Sequence, residues 1–262
     1  MNKIEPTHPP EIVAALANRR VCSLFTAIDE QTPIVFQKGS GVLWGSSTAD
    51  GRTVIEFVPT KAPVEALAHE LLHADLKLKG YQQFTSLVAL APKERRQLYL
   101  TVLSMLDNEL QHHRMFRGFT ALGLSKKRFY NDTDKNTYRE VRREVEELQK
   151  GDHPAEFLLQ FASVIAPGGA GDEAQRQPLK NFVKTRCTPE TWRVLVEVEG
   201  LIEKWRLGTS LDVTATVRDI LRLVAGEDRL WFGPTGCTDL ALGQFTDVEF
   251  TIEEATTYLQ GG

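Results

Sequence analysis

Sulfur is scarce in this sequence. Its three cysteines, Cys22, Cys187 and Cys237, are odd in number, far apart and form no Cys-x-x-Cys pair. That excludes a zinc ribbon or finger and a disulfide framework, and it fits the reduced thiols of a cytoplasmic protein. No apolar run is long enough to cross a bilayer, so no membrane span is expected. The opening Met1-Asn2-Lys3-Ile4-Glu5-Pro6 lacks the basic and apolar regions of a signal peptide, which also points to the cytoplasm. Positive charge is not in excess: the net charge is −4 over 262 residues, and nothing global favours nucleic acid or anionic membranes. Repeats, heptads and low-complexity tracts are absent. The length allows one large domain or two modest ones, with an ordinary globular composition.

What is present is the string Ala66-Leu67-Ala68-His69-Glu70-Leu71-Leu72-His73-Ala74, a His-Glu-x-x-His motif in a run that reads as a helix. Residues four apart on a helix lie one above the other. His69 and His73 can therefore aim two imidazole nitrogens at one point, as a tetrahedral Zn²⁺ requires. Glu70, one residue round, is placed to take a proton from a water at the metal. Leu71 and Leu72 bury the faces that the metal does not use. From the His and Glu content, a chance match is expected roughly once per hundred such sequences. A buried helix with two hydrogen-bonded histidines is the plainer alternative.

Upstream, His8-Pro9-Pro10-Glu11 starts a first helix that ends near Arg19-Arg20, while periodicity leaves 21–28 between strand and helix. Residues 34–36, 42–44 and 53–58 read as strands of an antiparallel pair or meander, with 46–52 as a polar tip and Asp50-Gly51 as its turn. The last strand feeds the motif helix, which Pro63 and Glu65 open and Gly80 closes. These strands are expected at least to pack on the helix.

Residues 93–117 have helical periodicity. Leu98, Val102, Met105, Glu109, His112, Phe116 and Phe119 form one face, apolar except for Glu109 and His112. A carboxylate and an imidazole on a buried stripe are costly unless paired or bound to metal, so Glu109 or His112 is expected to complete the metal site.

Together, His69-Glu70-x-x-His73 and Asp107-Asn108-Glu109 resemble the gluzincin-type metallopeptidases, which take a third ligand from a glutamate on a later helix. Within that group the chain looks most like the ImmA/IrrE-type intracellular bacterial metallopeptidases. The resemblance covers roughly residues 34–120. It implies an α+β fold in which a small antiparallel sheet packs on the motif helix. It also implies His69 and His73 as ligands, Glu70 as general base and Glu109 as third ligand. Asn108, His112 and His113 depart from the single-glutamate pattern, which leaves His112 open beside Glu109. The implied activity is zinc-dependent endopeptidase cleavage of a protein or peptide. The target would be a regulatory protein in stress response or in defence against mobile elements.

Two other classes compete. Glu70-x-x-His73 and Glu109-x-x-His112 are two Glu-x-x-His units, as di-iron carboxylate bundles use. A regulatory protein could also keep the fold without catalysis. Farther on, Asp132-Thr133-Asp134-Lys135-Asn136 imitates a calcium loop, but Thr137 replaces its glycine and Arg143 its final glutamate. Asp134 is read instead as part of a helix N-terminus. Tyr130 or Tyr138 is a candidate donor to a transition-state oxyanion. Pro167-Gly168-Gly169-Ala170-Gly171 has no following Gly-Lys-Ser/Thr and is not a phosphate loop. The expected division is a zincin-like metallopeptidase domain over 1–150 and a helical domain over 151–262. The latter is expected to lack catalytic residues, border the cleft and offer a surface for a regulatory partner. Within it, Thr188 caps one helix, Thr251-x-x-Glu254 is a capping box, and the terminal Gly261-Gly262 is given no role.

Overall fold

The computed structural model describes residues 8–41, 43–130, 138–169 and 173–260, and of residues 173, 259 and 260 only the backbone. The rejected calcium loop with Asp134, the opening residues 1–7 and Gly261-Gly262 lie outside the described residues. The first helix, α1 (Pro10–Leu16), begins on Pro10 and is followed directly by α2 (Arg19–Asp29). Asn18 separates them, its side-chain oxygen accepting the backbone N–H groups of Arg20 and Val21. The ambiguous segment 21–28 is thus helical.

Three strands follow, β1 (Ile34–Lys38), β2 (Gly45–Ala49) and β3 (Arg52–Phe57), in the order β1-β3-β2. β3 takes the centre because it alternates cleanly, with Thr53, Ile55 and Phe57 buried. Asp50 and Gly51, at φ 51° and 72°, turn the chain from β2 into β3 as an antiparallel pair. β1 lies parallel on the other side of β3, so the sheet is mixed rather than a simple meander. The middle strand also falls later than the apolar pattern suggests. Leu43 and Trp44 leave the ladder, and Trp44 is buried with its indole N–H donating to the Val58 carbonyl at 2.8 Å. The polar Gly45-Ser46-Ser47-Thr48-Ala49 forms the strand instead. A strand on a sheet's outer edge need not be apolar, and its residues are mostly half-exposed.

The motif helix is α3 (Pro63–Leu78), followed by β4 (Phe84–Leu90) and the long α4 (Lys93–Ala121). α3 is buried nearly all round, and Ala66, Ala68 and Ala74 let its neighbours approach closely. α4 crosses it at Gly118, where an added Cβ would lie 3.1 Å from the Leu72 Cδ2.

Downstream come α5 (Tyr138–Glu147), α6 (Pro154–Ile165), α7 (Glu173–Arg186), α8 (Pro189–Leu207) and α9 (Thr214–Ala225), then β5 (Arg229–Pro234), β6 (Gln244–Phe245) and α10 (Ile252–Gln260). Thr188 caps α8 through the Thr191 N–H. Thr251 and Glu254 exchange the two bonds of a capping box at α10. His153 also serves as a cap, for α6, with Glu156 answering it. The molecule is α+β with a mostly helical C-terminal part, as expected. The second sheet was not expected: β5 pairs antiparallel with β4 and carries β6 on its other edge. α6, α8 and α9 pack on α4, and the Trp205 indole N–H on α8 donates to the Leu110 carbonyl at 2.9 Å. Among the described residues no helix is long and apolar enough to cross a membrane.

Candidate metal centre

α3 and α4 lie side by side with His69 and His73 facing His112. The His69 Nε2 is 3.1 Å from the His112 Nε2 and 3.2 Å from the His73 Nε2. His69 and His112 are buried and His73 half-buried. Distances alone would allow hydrogen bonds among these nitrogens, but the far side of each ring argues otherwise. The His69 Nδ1 lies 2.9 Å from the Phe129 carbonyl oxygen, which can only accept, so that nitrogen carries the proton. The His73 Nδ1 lies 2.9 Å from the Gln111 Oε1. The orientation of Gln111 follows from its own partners, because its Nε2 donates to the Asp107 carbonyl at 3.2 Å and the Asp107 Oδ2 at 3.0 Å. The His112 Nδ1 lies 2.8 Å from the Tyr130 hydroxyl, whose own proton goes to the Glu109 Oε2 in a very short contact. Each imidazole therefore keeps its proton on Nδ1, and three unprotonated Nε2 atoms face one another. Burial also holds all three rings below the usual histidine range, the His69 and His112 rings well below it, so all three favour the neutral form. His69, His73 and His112 form a group able to hold a metal ion.

Glu109 is not in that group. The structure places its carboxylate on the Nδ1 side of His112, 3.4 Å from that atom, where it receives the Tyr130 hydroxyl. Of the two side chains expected to complete the site, the structure brings His112 to face His69 and His73, while Glu109 accepts the Tyr130 hydroxyl that is hydrogen-bonded to His112. Burial pushes the Glu109 carboxyl up to about 7, against the opposing effect of the Tyr130 hydroxyl and the neighbouring His113 and His73 rings. The Tyr130 hydroxyl, expected as one candidate oxyanion donor, lines the cleft and is hydrogen-bonded to His112 and Glu109. Tyr138, the other candidate, has its hydroxyl near Arg142 on α5 and lies outside the cleft lining. His113, next in sequence, joins neither the triad nor the hydrogen bonds around it.

The rings open onto a cleft of about 960 Å³. β2 walls one side with Gly45, Ser46 and Thr48, and α4 the other with Leu100, Ser104 and Asn108. Glu70 also lines this cleft, is buried, and is hydrogen-bonded by Ser46. Burial raises its carboxyl to about 7, with the Ser46 contact acting in the opposite sense. Among the described residues, no strand pairs with the outer edge of β2.

Several residues that shape the site carried no readable signal. Phe129 acts through its backbone carbonyl, which no side-chain pattern reveals. Asp107 and Gln111 are an i, i+4 pair on α4, noticeable only once Gln111 is seen against His73. Asp107 is itself fixed by the Tyr81 hydroxyl at 3.1 Å and the Phe84 N–H at 3.2 Å, groups distant in sequence. The C-terminal part was expected to border the cleft. Among the described residues, none beyond Tyr130 lines it, because α8 and α9 pack on other faces of α4. No protein-family model, curated protein or solved structure matches this chain.

Proposed function

We propose that this protein is a zinc-dependent peptidase that cleaves an extended segment of a protein or peptide. One observation carries the reading: three imidazole Nε2 atoms, each relieved of its proton by an oxygen at Nδ1, converge in a cleft that also holds Glu70. Imidazole suits several transition metals, but three protein ligands with one position left open is the arrangement of catalytic zinc. The absence of a carboxylate from this group favours zinc over the two-iron alternative.

When bound, zinc supplies a Lewis acid that polarises a scissile carbonyl and makes water more acidic. His69, His73 and His112 hold it, and Phe129, Gln111 and Tyr130 keep their rings in the ligating tautomer. Glu70 accepts the proton of the attacking water on its carboxylate and passes it to the departing amine. A carboxyl raised to about 7 by burial gives and takes a proton near neutral pH. The edge of β2 pairs with the substrate backbone, while the exposed Leu43 and Leu100 contact its side chains.

The resemblance of the His-Glu-x-x-His helix to gluzincin and ImmA/IrrE-type enzymes supports this reading, with a three-histidine ligand set in place of two histidines and a glutamate. The same resemblance suggests an intracellular regulatory protein as substrate. Three free cysteines support a cytoplasmic setting. The C-terminal helices are available to a regulatory partner.

The test is Glu70→Gln. The amide preserves shape and a hydrogen bond but cannot take the proton. The variant should fold and retain wild-type zinc content, while cleavage of an unfolded protein substrate falls about 10²–10⁴-fold. Loss of the metal in this variant, or cleavage at the wild-type rate, means the assignment of Glu70 is wrong.

A further inference from the structure

On the side of α4 away from the cleft lies a second cavity of about 500 Å³, sharing no lining residue with the first. His113 borders it, nine-tenths buried, and neither ring nitrogen has a hydrogen-bond partner in the protein. A buried imidazole without partners forfeits the hydrogen bonds it would make to water, so its retention calls for an explanation. Among the described residues, its lining also holds Lys126, Lys127, Arg176, Arg206 and the acid Glu203. Four cations on one pocket contrast with the net charge of −4 of the whole chain.

The cations are not an accident of loose side chains. The Arg206 fork is held by Glu203, its Nε donating to Oε2 at 2.7 Å and its Nη2 to Oε1, and Arg176 donates to the Ala166 carbonyl at 3.1 Å. Gly168 presses the chain after α6 onto the turn that carries Lys126: at φ 73°, an added Cβ would lie 2.9 Å from the Lys126 carbonyl oxygen and 3.1 Å from the Phe116 ring. Half-buried Phe116 and buried Ile165 provide an apolar floor.

We propose that this pocket binds a small organic phosphate, its phosphoryl group held by Lys126, Arg176 and Arg206, its flat apolar part on Phe116 and Ile165, and His113 supplying a hydrogen bond. Ammonium and guanidinium groups donate charge-assisted hydrogen bonds to phosphate oxygens, the Arg206 fork by exchanging the Glu203 carboxylate for the phosphoryl group, and several cations suit a dianion better than a monovalent carboxylate. The cavity is larger than an inorganic phosphate needs and within the range that encloses small organic ligands. The proposal is independent of the metal reading, since the two cavities share no residue.

Calorimetric titration of the full-length protein with AMP and with inorganic phosphate tests it. AMP should bind saturably, and phosphate roughly tenfold more weakly for want of the ring contact. Lys126→Ala and Arg206→Ala, both at exposed positions where folding is easily verified, should each weaken AMP by about tenfold. Lys61→Ala, remote from the pocket lining, should leave it unchanged. AMP should also shift the His113 imidazole resonances in a nitrogen-detected spectrum. No saturable AMP binding at millimolar concentration overturns the proposal. So does equal affinity for inorganic phosphate, equal weakening by Lys61→Ala, or an unperturbed His113.

Discussion

Replacing Asp107 by Asn changes no atom that could touch the metal, yet it should weaken metal binding. The Asp107 Oδ1 accepts the Tyr81 hydroxyl and the Phe84 N–H at 3.1 and 3.2 Å, while Oδ2 accepts the Gln111 Nε2 at 3.0 Å. A backbone N–H can only donate, so the introduced amide would keep its oxygen toward Phe84 and turn its NH₂ to Gln111. Two donors then face each other. Gln111 relieves this by flipping, which presents its own NH₂ to the His73 Nδ1 in place of an acceptor. That nitrogen must then give up its proton, which moves to Nε2, the atom that faces His69 and His112. Binding a metal would require reversing the flip and restoring the donor clash, a cost of about 1–3 kcal/mol for the unpaired buried groups. Zinc affinity should fall about 10–100-fold, or roughly 1.4–2.8 kcal/mol. Competition against a chromophoric chelator at fixed pH measures it, with circular dichroism to confirm the fold. Combining the change with Gln111→Glu should restore affinity in part, because a carboxylate accepts from both the introduced amide and the His73 Nδ1, at the cost of setting one of its oxygens against the Asp107 carbonyl that the Gln111 Nε2 bonds in the native protein. Wild-type zinc affinity in Asp107→Asn, or no recovery in the double variant, would refute the chain of hydrogen bonds inferred here.

The relative standing of His112 and Glu109 gives another test. His112→Ala should abolish zinc retention on dialysis, whereas Glu109→Leu should lower affinity only about 10–100-fold by freeing the Tyr130 proton to turn toward His112. Equal loss in both variants would make Glu109 a ligand after all. At the helix crossing, Gly118→Val should destabilise the fold by about 1–3 kcal/mol in urea unfolding, since its first added carbon already meets Leu72. An unchanged urea midpoint would mean that α3 and α4 can separate there at little cost.

The His69/His73 pair was legible because both residues lie on one helix, where spacing dictates direction. The third position was narrowed to α4 by the polar interruption of its apolar stripe, but no further. Glu109 and His112 stand three apart on the same face, and the choice between them depends on Phe129 and Tyr130. Those arrive from a separate turn and occupy the Nδ1 sides of His69 and His112. β2 was misplaced by a few residues for a related reason: its polar side chains serve the cleft and a free edge, so hydrophobic patterning pointed to Val42-Leu43-Trp44 instead. The pairing of β4 with β5 joins segments far apart in the chain and leaves no local trace.

That last pairing bears on when the molecule becomes competent. Phe84, which anchors Asp107 and through it Gln111 and His73, belongs to β4, and β4 is held in place by β5 near the far end of the chain. During synthesis the motif helix emerges long before residues 229–234 do. A nascent chain therefore exposes two histidines and a glutamate without the strand that steadies them. The steadying of His73 through Phe84, Asp107 and Gln111 therefore waits until residues 229–234 have been made.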